Sequence, residues 1–451
     1  MKDEKLSSTS PSPSPSPAVK PKSDDGVGPL SPESVSGSSS QDRWSTEKVK
    51  AIKEACRAGN RKTVVELATS KDGLISDGIR KEAWPFLLGY GTVPHGKSVP
   101  PTDIPEACPS WKTLPPHRDE DQVKLDVDRS FIYYPTNLSP RELRTRKTEL
   151  LDLIVKVLRR HPMLCYFQGF HDICQVLLLV LGPTDAVAAV EHISLLRIRD
   201  FMLPTMSPTS DHLQLLHPLL YSIDPKLFHH ISRTQPFFAL AATLTLYAHE
   251  IQEYNKIARL FDVFLAMDPV FPLYLFAEIV LRRRDELFEI PDDEPEILHS
   301  ILSKLPKPLD LDDLISRAVS LLEQQPPESL STWHKVSSRS VLKTSRSLDQ
   351  SPPSLSHAEK LFNQQWRELE WARKRKVMFK AIAKKGRITL LGLTLLVGTS
   401  AIGLGFYLQK KGTPIDSISG SSVSPLLRRL LAGFGIGTGG CHFSVGNSCE
   451  S

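Results

Sequence analysis

The chain has 451 residues, 40% of them hydrophobic, and a formal net charge of +5. That length exceeds one small core, and so modest a charge argues against a dedicated nucleic-acid binder. The six cysteines contain no CxxC pair and no His at metal spacing, so zinc-finger chemistry is excluded and reduced thiols are expected.

Residues 1–42 are polar, rich in Ser, Pro and acids, and include the run SPSPSPSP ending at Pro17. Such a segment cannot bury enough apolar surface to offset its ordering entropy and reads as a disordered tail rather than a signal peptide. A helical pattern then opens at Ser45-Thr46-Glu47, with Val49, Ile52 and Cys56 on one face. In IRKEAWPFLLG, Ile79 to Gly89, Arg80 and Trp84 stand four apart on one helix face, which predicts the arginine stem packed on the indole.

Next comes VKLDVDRSFIYYP, Val123 to Pro135. Val123, Asp126 and Arg129 recur every three residues, so Asp126 can reach Arg129; alone, the pair reads as an exposed salt bridge. Asp128, beside the arginine, is a possible competitor for its charge, but adjacent residues on a helix point to different sides. Ser139-Pro140-Arg141-Glu142 is a capping box with Pro at the first helical position, and the helix it opens should stop near His161-Pro162. Within CYFQGFHDICQVLLLV, Cys165 to Val180, Gln168-Gly169 sits between that broken helix and a new apolar one and reads as a turn. Apolar helical segments follow from Val176, Ala186, His212, Phe237, Ile257 and Leu273, with no convincing strand alternation. These predict an all-α domain over 43–324, roughly 280 residues in two lobes.

Residues 325–356 read as a Ser/Pro-rich linker, and 357–387 as a basic juxtamembrane helix suited to anionic headgroups. Residues 388–408, ITLLGLTLLVGTSAIGLGFYL, carry no charge and as a helix cross a hydrocarbon core of about 30 Å. The excess of Lys and Arg before the span places its N-terminal side in the cytosol. Residues 409–451 then form a short lumenal tail, in which Cys441 and Cys449 are free to pair if that lumen is oxidising.

No GxxxxGK[ST], HExxH or GxSxG occurs, and His117-Arg118-Asp119 lacks the companions of a kinase catalytic loop, so no motif for independent nucleotide hydrolysis is present. What is present is an order: Arg80…Trp84, then Asp126…Arg129, then Tyr166-Phe167-Gln168-Gly169, with RLFDVFL at Arg259 to Leu265 farther on. This order resembles the TBC domain, the catalytic domain of activators of Rab-family GTPases, over about Gly78 to Pro327. LDVDRS, CYFQGFHDI, RIRDFMLPTM and the C-terminal apolar span are similar to a membrane-anchored branch of that family, of the endoplasmic reticulum. Val123 and Phe170 depart from the usual residues but keep apolar character.

The resemblance implies an arginine finger, Arg129, and a glutamine finger, Gln168, supplied in trans. Asp126 would orient the arginine, Tyr166 and Gly169 would shape the turn, and Arg80 and Trp84 would hold the scaffold. It implies no cofactor of the chain's own, the GTP and Mg belonging to the partner. The implied partners are a GTP-loaded Rab of early secretory traffic, a lipid bilayer and membrane-shaping proteins of the endoplasmic reticulum, without nucleic acid. The alternative is a Rab-binding membrane tether that does not accelerate hydrolysis.

Overall fold

The computed structural model describes residues 38–92, 98–99, 110–346 and 353–410, and for 38–42, 91–92, 98–99 and 383–409 the backbone alone. The Ser-Pro run, Cys108, Cys441 and Cys449 lie outside the described residues. The architecture is helical, with one two-residue antiparallel ladder pairing Gly91–Thr92 with Ser98–Val99. The chain divides into two units, one ending at Arg367 and the other beginning at Glu368.

In the first unit, α1 (Ser38–Arg57), α2 (Arg61–Thr69) and α3 (Asp77–Leu88) pack on one another. Then come α4 (Glu120–Val127), α5 (Pro140–Arg160) and α6 (Phe170–Leu196). Short helices α7 (Ser207–Leu213), α8 (Leu216–Ile223), α9 (Pro225–Ile231) and α10 (Leu240–Leu244) lead to α11 (Tyr254–Ala266) and α12 (Phe271–Arg282). The rest are α13 (Arg284–Phe288), α14 (Pro295–Leu302), α15 (Leu311–Gln324), α16 (Val341–Thr344) and α17 (Leu355–Lys410), the last running past Arg367. The first helix starts at Ser38, ahead of the expected Ser45.

The local signals of α5 hold. Ser139 Oγ accepts from the Glu142 N–H, Glu142 Oε2 accepts from the Ser139 N–H at 2.8 Å, and the helix stops at Arg160 with His161 as its cap. Helix α6 is the centre of the unit. It packs on α3, α4, α5 and α11, and it is buried nearly all round, as a helix apolar on every face must be. By length and composition it would cross a membrane, but 72% of its most apolar window is buried inside the protein. Gly182, at φ 82, breaks it before Pro183, where a proline ring forbids continuous helical bonding.

A buried carboxylate clamps α3 to α11. Asp262 accepts from Arg80 Nε at 2.9 Å, Arg80 Nη2 at 3.0 Å, Trp84 Nε1 at 2.9 Å and the Leu74 N–H at 3.0 Å. Arg80 and Trp84 both donate to this one acceptor, which ties the two side chains to α11. Arg259, one turn earlier on α11, donates to the carbonyls of Ala68, Thr69 and Ser70 and so caps the C-terminus of α2.

The Ser/Pro-rich stretch behaves differently from a linker over 327–346. Leu330, Val336, Val341 and Leu342 are buried there, Ser340 Oγ lies 3.3 Å from His212 Nε2, and Asp200 accepts from the Val341 N–H at 3.2 Å. Composition hid four apolar anchors among the serines. The first turns of α17 also belong to this unit: Ala358 and Phe362 are fully buried, and His161 Nδ1 meets Glu359 Oε1 at 2.7 Å. In the second unit, Trp371, Met378, Phe379 and Ile382 stand exposed on α17 among Arg373, Lys374, Arg375 and Lys380.

Removing Asp262 leaves Arg80 and Trp84 buried with donors unmet. We expect Asp262→Ala to cost about 3–5 kcal/mol by denaturant unfolding, the cost of breaking a buried pair from one side. Burial opposes charge on His161, but Glu359 at 2.7 Å and Glu191 at 3.8 Å outweigh it and raise its pKa to about 9. A raised folded value contributes stability below the ordinary 6.5 and loses it as pH climbs through about 9. Hydrogen exchange over 355–367, corrected for intrinsic rate, should therefore accelerate as pH rises from 6.5 to about 9 and level off beyond it, and His161→Gln should remove the transition.

Candidate functional site

Arg129 follows α4 directly, within its last, 3₁₀-like turn: its N–H bonds to the Asp126 carbonyl at 3.1 Å. Its Nη2 donates to Asp126 Oδ1 at 2.6 Å, yet the side chain remains 64% exposed. The carboxylate it meets is wholly buried. Asp126 Oδ1 also accepts from Gln122 Nε2 at 3.1 Å, and Oδ2 accepts from the Tyr166 hydroxyl at 2.8 Å. The Val123–Asp126–Arg129 stripe thus runs from core to surface. The salt bridge exists, but it uses one edge of the guanidinium and leaves the rest facing outward. Asp128 does not compete; it is exposed, and its carbonyl takes the Lys147 ammonium.

Tyr166 joins this carboxylate to the glutamine turn. Burial, and then the hydrogen bond to Asp126, push its phenol well above the ordinary range, so it stays a neutral donor. Its N–H donates to Asp119 Oδ2 at 2.9 Å. The carbonyl of Leu164 lies 3.0 Å from His117 Nε2 and 3.1 Å from Arg118 Nη2. The His117-Arg118-Asp119 stretch, without catalytic companions, serves to pin residues 164–166. That role gave no sequence signal, because its partners lie more than forty positions away.

Gln168 and Gly169 are the two central residues of a tight turn closed by Phe170 N–H to Phe167 C=O at 3.1 Å. Gly169 has φ 101 and ψ −12, the geometry that the third position of a type II turn demands and that favours glycine. A Cβ there would also lie 2.5 Å from Thr245 Cγ2. Gln168, ahead of it, is exposed, and no hydrogen bond ties its carboxamide to the described residues. Below the turn, Asp172 Oδ2 meets His249 Nδ1 at 2.9 Å and Oδ1 lies 3.3 Å from His171 Nε2. The hydrogen bond to Asp172 raises the pKa of His249, whereas burial lowers that of His171.

Hydrogen bonds join Arg129, Asp126 and Tyr166 into one network, and the Gln168–Gly169 turn begins two residues after Tyr166 in the chain. Arg80 and Trp84 stand apart from it in the Asp262 clamp. An outward, always-charged planar donor and an untethered carboxamide suit recognition of an anionic group with its attendant water. Among the described residues no group of His, Cys, Asp and Glu is arranged to hold a metal ion.

The sequence profile of the Rab-GTPase-TBC domain matches residues 77–288. TBC1 domain family member 20 of Bos taurus is 37% identical over 267 residues, which cover 58% of this chain and 63%, under two thirds, of the bovine protein. GTPase-activating protein gyp10 of Schizosaccharomyces pombe is 33% identical over 284 residues, covering 62% of this chain and 73% of that protein. Among solved structures, the Ypt/Rab-GAP domain of Gyp1p matches 62% of this chain and 99% of its own with TM-score 0.50 and 15% identity, a likeness of fold.

Gly169→Ala should destabilise the chain by about 1–3 kcal/mol through the strained backbone and the clash with Thr245. Thr245→Ser removes the clashing methyl but not the strain, so in a denaturant titration the double variant should recover part of the loss.

Proposed function

The chain belongs to the Rab-GTPase-TBC domain family, and on that premise we propose that it accelerates GTP hydrolysis on a Rab-family GTPase of early secretory traffic. Arg129 and Gln168 are the groups it supplies. The observation that carries the reading is the half-held state of Arg129: one N–H is fixed on a buried carboxylate while the side chain is 64% exposed.

Phosphoryl transfer to water needs little covalent chemistry from the protein; it needs the water placed and the charge on the phosphoryl oxygens met. The outward edge of Arg129 offers parallel N–H donors of fixed geometry to two such oxygens. Asp126 pre-sets the rotamer, which lowers the entropy lost when the guanidinium engages. Its own charge is shared with Gln122 and Tyr166, so it steers the arginine without neutralising it. Gln168 offers both an acceptor and a donor to the attacking water, and the rigid turn behind it limits its search.

The membrane part of the proposal rests on the uncharged stretch 388–408, on helical backbone in α17, and on the basic and apolar side chains exposed before it. We place the chain at the endoplasmic reticulum membrane, with the TBC domain in the cytosol.

Single-turnover hydrolysis with the full chain in detergent, against a panel of GTP-loaded Rabs, tests the reading. One or a few Rabs should be accelerated. Arg129→Ala should lower the stimulated rate by roughly 10³-fold or more, Gln168→Ala by a comparable factor, and Arg129→Lys should rescue little because it lacks the fork. Gln168→Ala should melt like the parent, since its side chain faces solvent, whereas Arg129→Ala withdraws one donor from the buried Asp126 and should cost about 1–3 kcal/mol, so its rate is read well below its melting temperature. A Rab that binds but is not accelerated would make the chain a tether instead.

A further inference from the structure

Directly after Arg129 the chain leaves helical structure and enters an irregular loop. Phe131 has φ 62, a left-handed conformation that a bulky residue keeps only where its surroundings force it. The force comes from Gln175 on α6, itself 4% exposed. Its Oε1 accepts from the Phe131 N–H at 3.0 Å and its Nε2 donates to the Tyr134 carbonyl at 3.3 Å. One buried carboxamide grips both ends of the loop. Phe131 and Tyr134 turn inward, and the Tyr134 hydroxyl donates to the Ala248 carbonyl at 3.3 Å. The two residues between them, Ile132 and Tyr133, are left 72% and 49% exposed, and Leu125, one turn before Arg129, is 59% exposed.

Single exposed apolar side chains are ordinary. A strained loop, braced from the core, that shows two of them to water beside an outward arginine is not, because the fold gains no burial from it. We propose that Ile132 and Tyr133, assisted by Leu125, are the docking pad for the GTP-loaded GTPase, seating an apolar patch of that partner beside its nucleotide. The inference rests on the reading of Arg129 as the group that reaches the phosphates. The occupant follows from dimensions. A specific interface covers about 800 Å² per partner, a disc of roughly 16 Å radius. Ile132 and Tyr133 are three and four residues from Arg129, so their Cα atoms are at most about 11 and 14 Å from it. A GTPase with its nucleotide on Arg129 therefore covers both. Because Gln175 has already ordered the loop, docking loses little further entropy there, and the apolar contact counts in full.

The test uses the full chain in detergent and the same Rab panel, measuring binding to immobilised GTP-loaded Rab and the single-turnover rate as chain concentration is raised. The Ile132→Ser/Tyr133→Ser double variant should raise the Kd and the half-saturating concentration by roughly 10- to 100-fold, while the rate at saturation falls by less than about threefold. Arg129→Ala should do the reverse. Tyr133→Phe, which keeps the apolar area, should bind like the parent. Melting of the Ile132→Ser/Tyr133→Ser and Tyr133→Phe variants should match the parent, because those side chains face solvent. A double variant that binds with the parent's Kd overturns the pad, as does one that loses rate at saturation with Kd intact. If the parent binds a Rab without accelerating it, the finger reading fails on its own; loss of binding in the double variant then still upholds the pad, and unaltered binding removes it. A parent that binds no Rab overturns both.

Discussion

The site depends on one buried carboxylate. Asp126 has no exposed surface, and an ionised carboxyl out of water is tolerated only when its oxygens are met by donors. Gln122, Arg129 and Tyr166 meet them. Because the three donors arrive from α4, from the residue after its cap and from the segment before α6, satisfying the charge also sets the relative placement of α4 and the glutamine turn. The constraint that keeps the carboxylate stable is the same one that points the arginine.

The chain contains a second arginine–aspartate pair that shows what the first is not. Arg80 meets Asp262 through two nitrogens, donates a third bond to Asp77, and is 6% exposed. Every edge of that guanidinium is in use, and the result is a clamp between α3 and α11. Arg129 has the same chemistry with one edge engaged and the rest outward. Burial, rather than residue type, separates the fastening from the reaching group.

Rigidity recurs around the reaching groups. Gly169 is closed against Thr245, residues 164–166 are pinned by His117, Arg118 and Asp119, and the loop after Arg129 is held by Gln175. Beyond the matched family profile, residues 327–346 and the first turns of α17 fasten onto the same unit, through Asp200 and His161 among others. Under the proposed function this rigidity lowers the cost of docking, because each unfixed torsion would be ordered at the moment of contact.

Much of this was legible from sequence wherever the cause was local. The capping box at Ser139, the stop at His161-Pro162, the Gln168-Gly169 turn and the Asp126–Arg129 spacing each follow from residues within one or two turns of each other. The apolar α6 announced a buried helix by composition. What the sequence alone could not decide was what met across distance. Arg80 and Trp84 were visible as neighbours, but the carboxylate between them is about 180 positions away on α11. Asp126 and Tyr166 are separated by 40 residues and α5, so no spacing pairs them. Serine content disguised the packed 327–346 stretch, since burial is set by a few anchoring side chains and by the groove they enter. Residue chemistry and short-range geometry are written along the chain. Whether an arginine is a bolt or an outstretched hand depends on how much water the fold leaves around it, and that only the assembled structure determines.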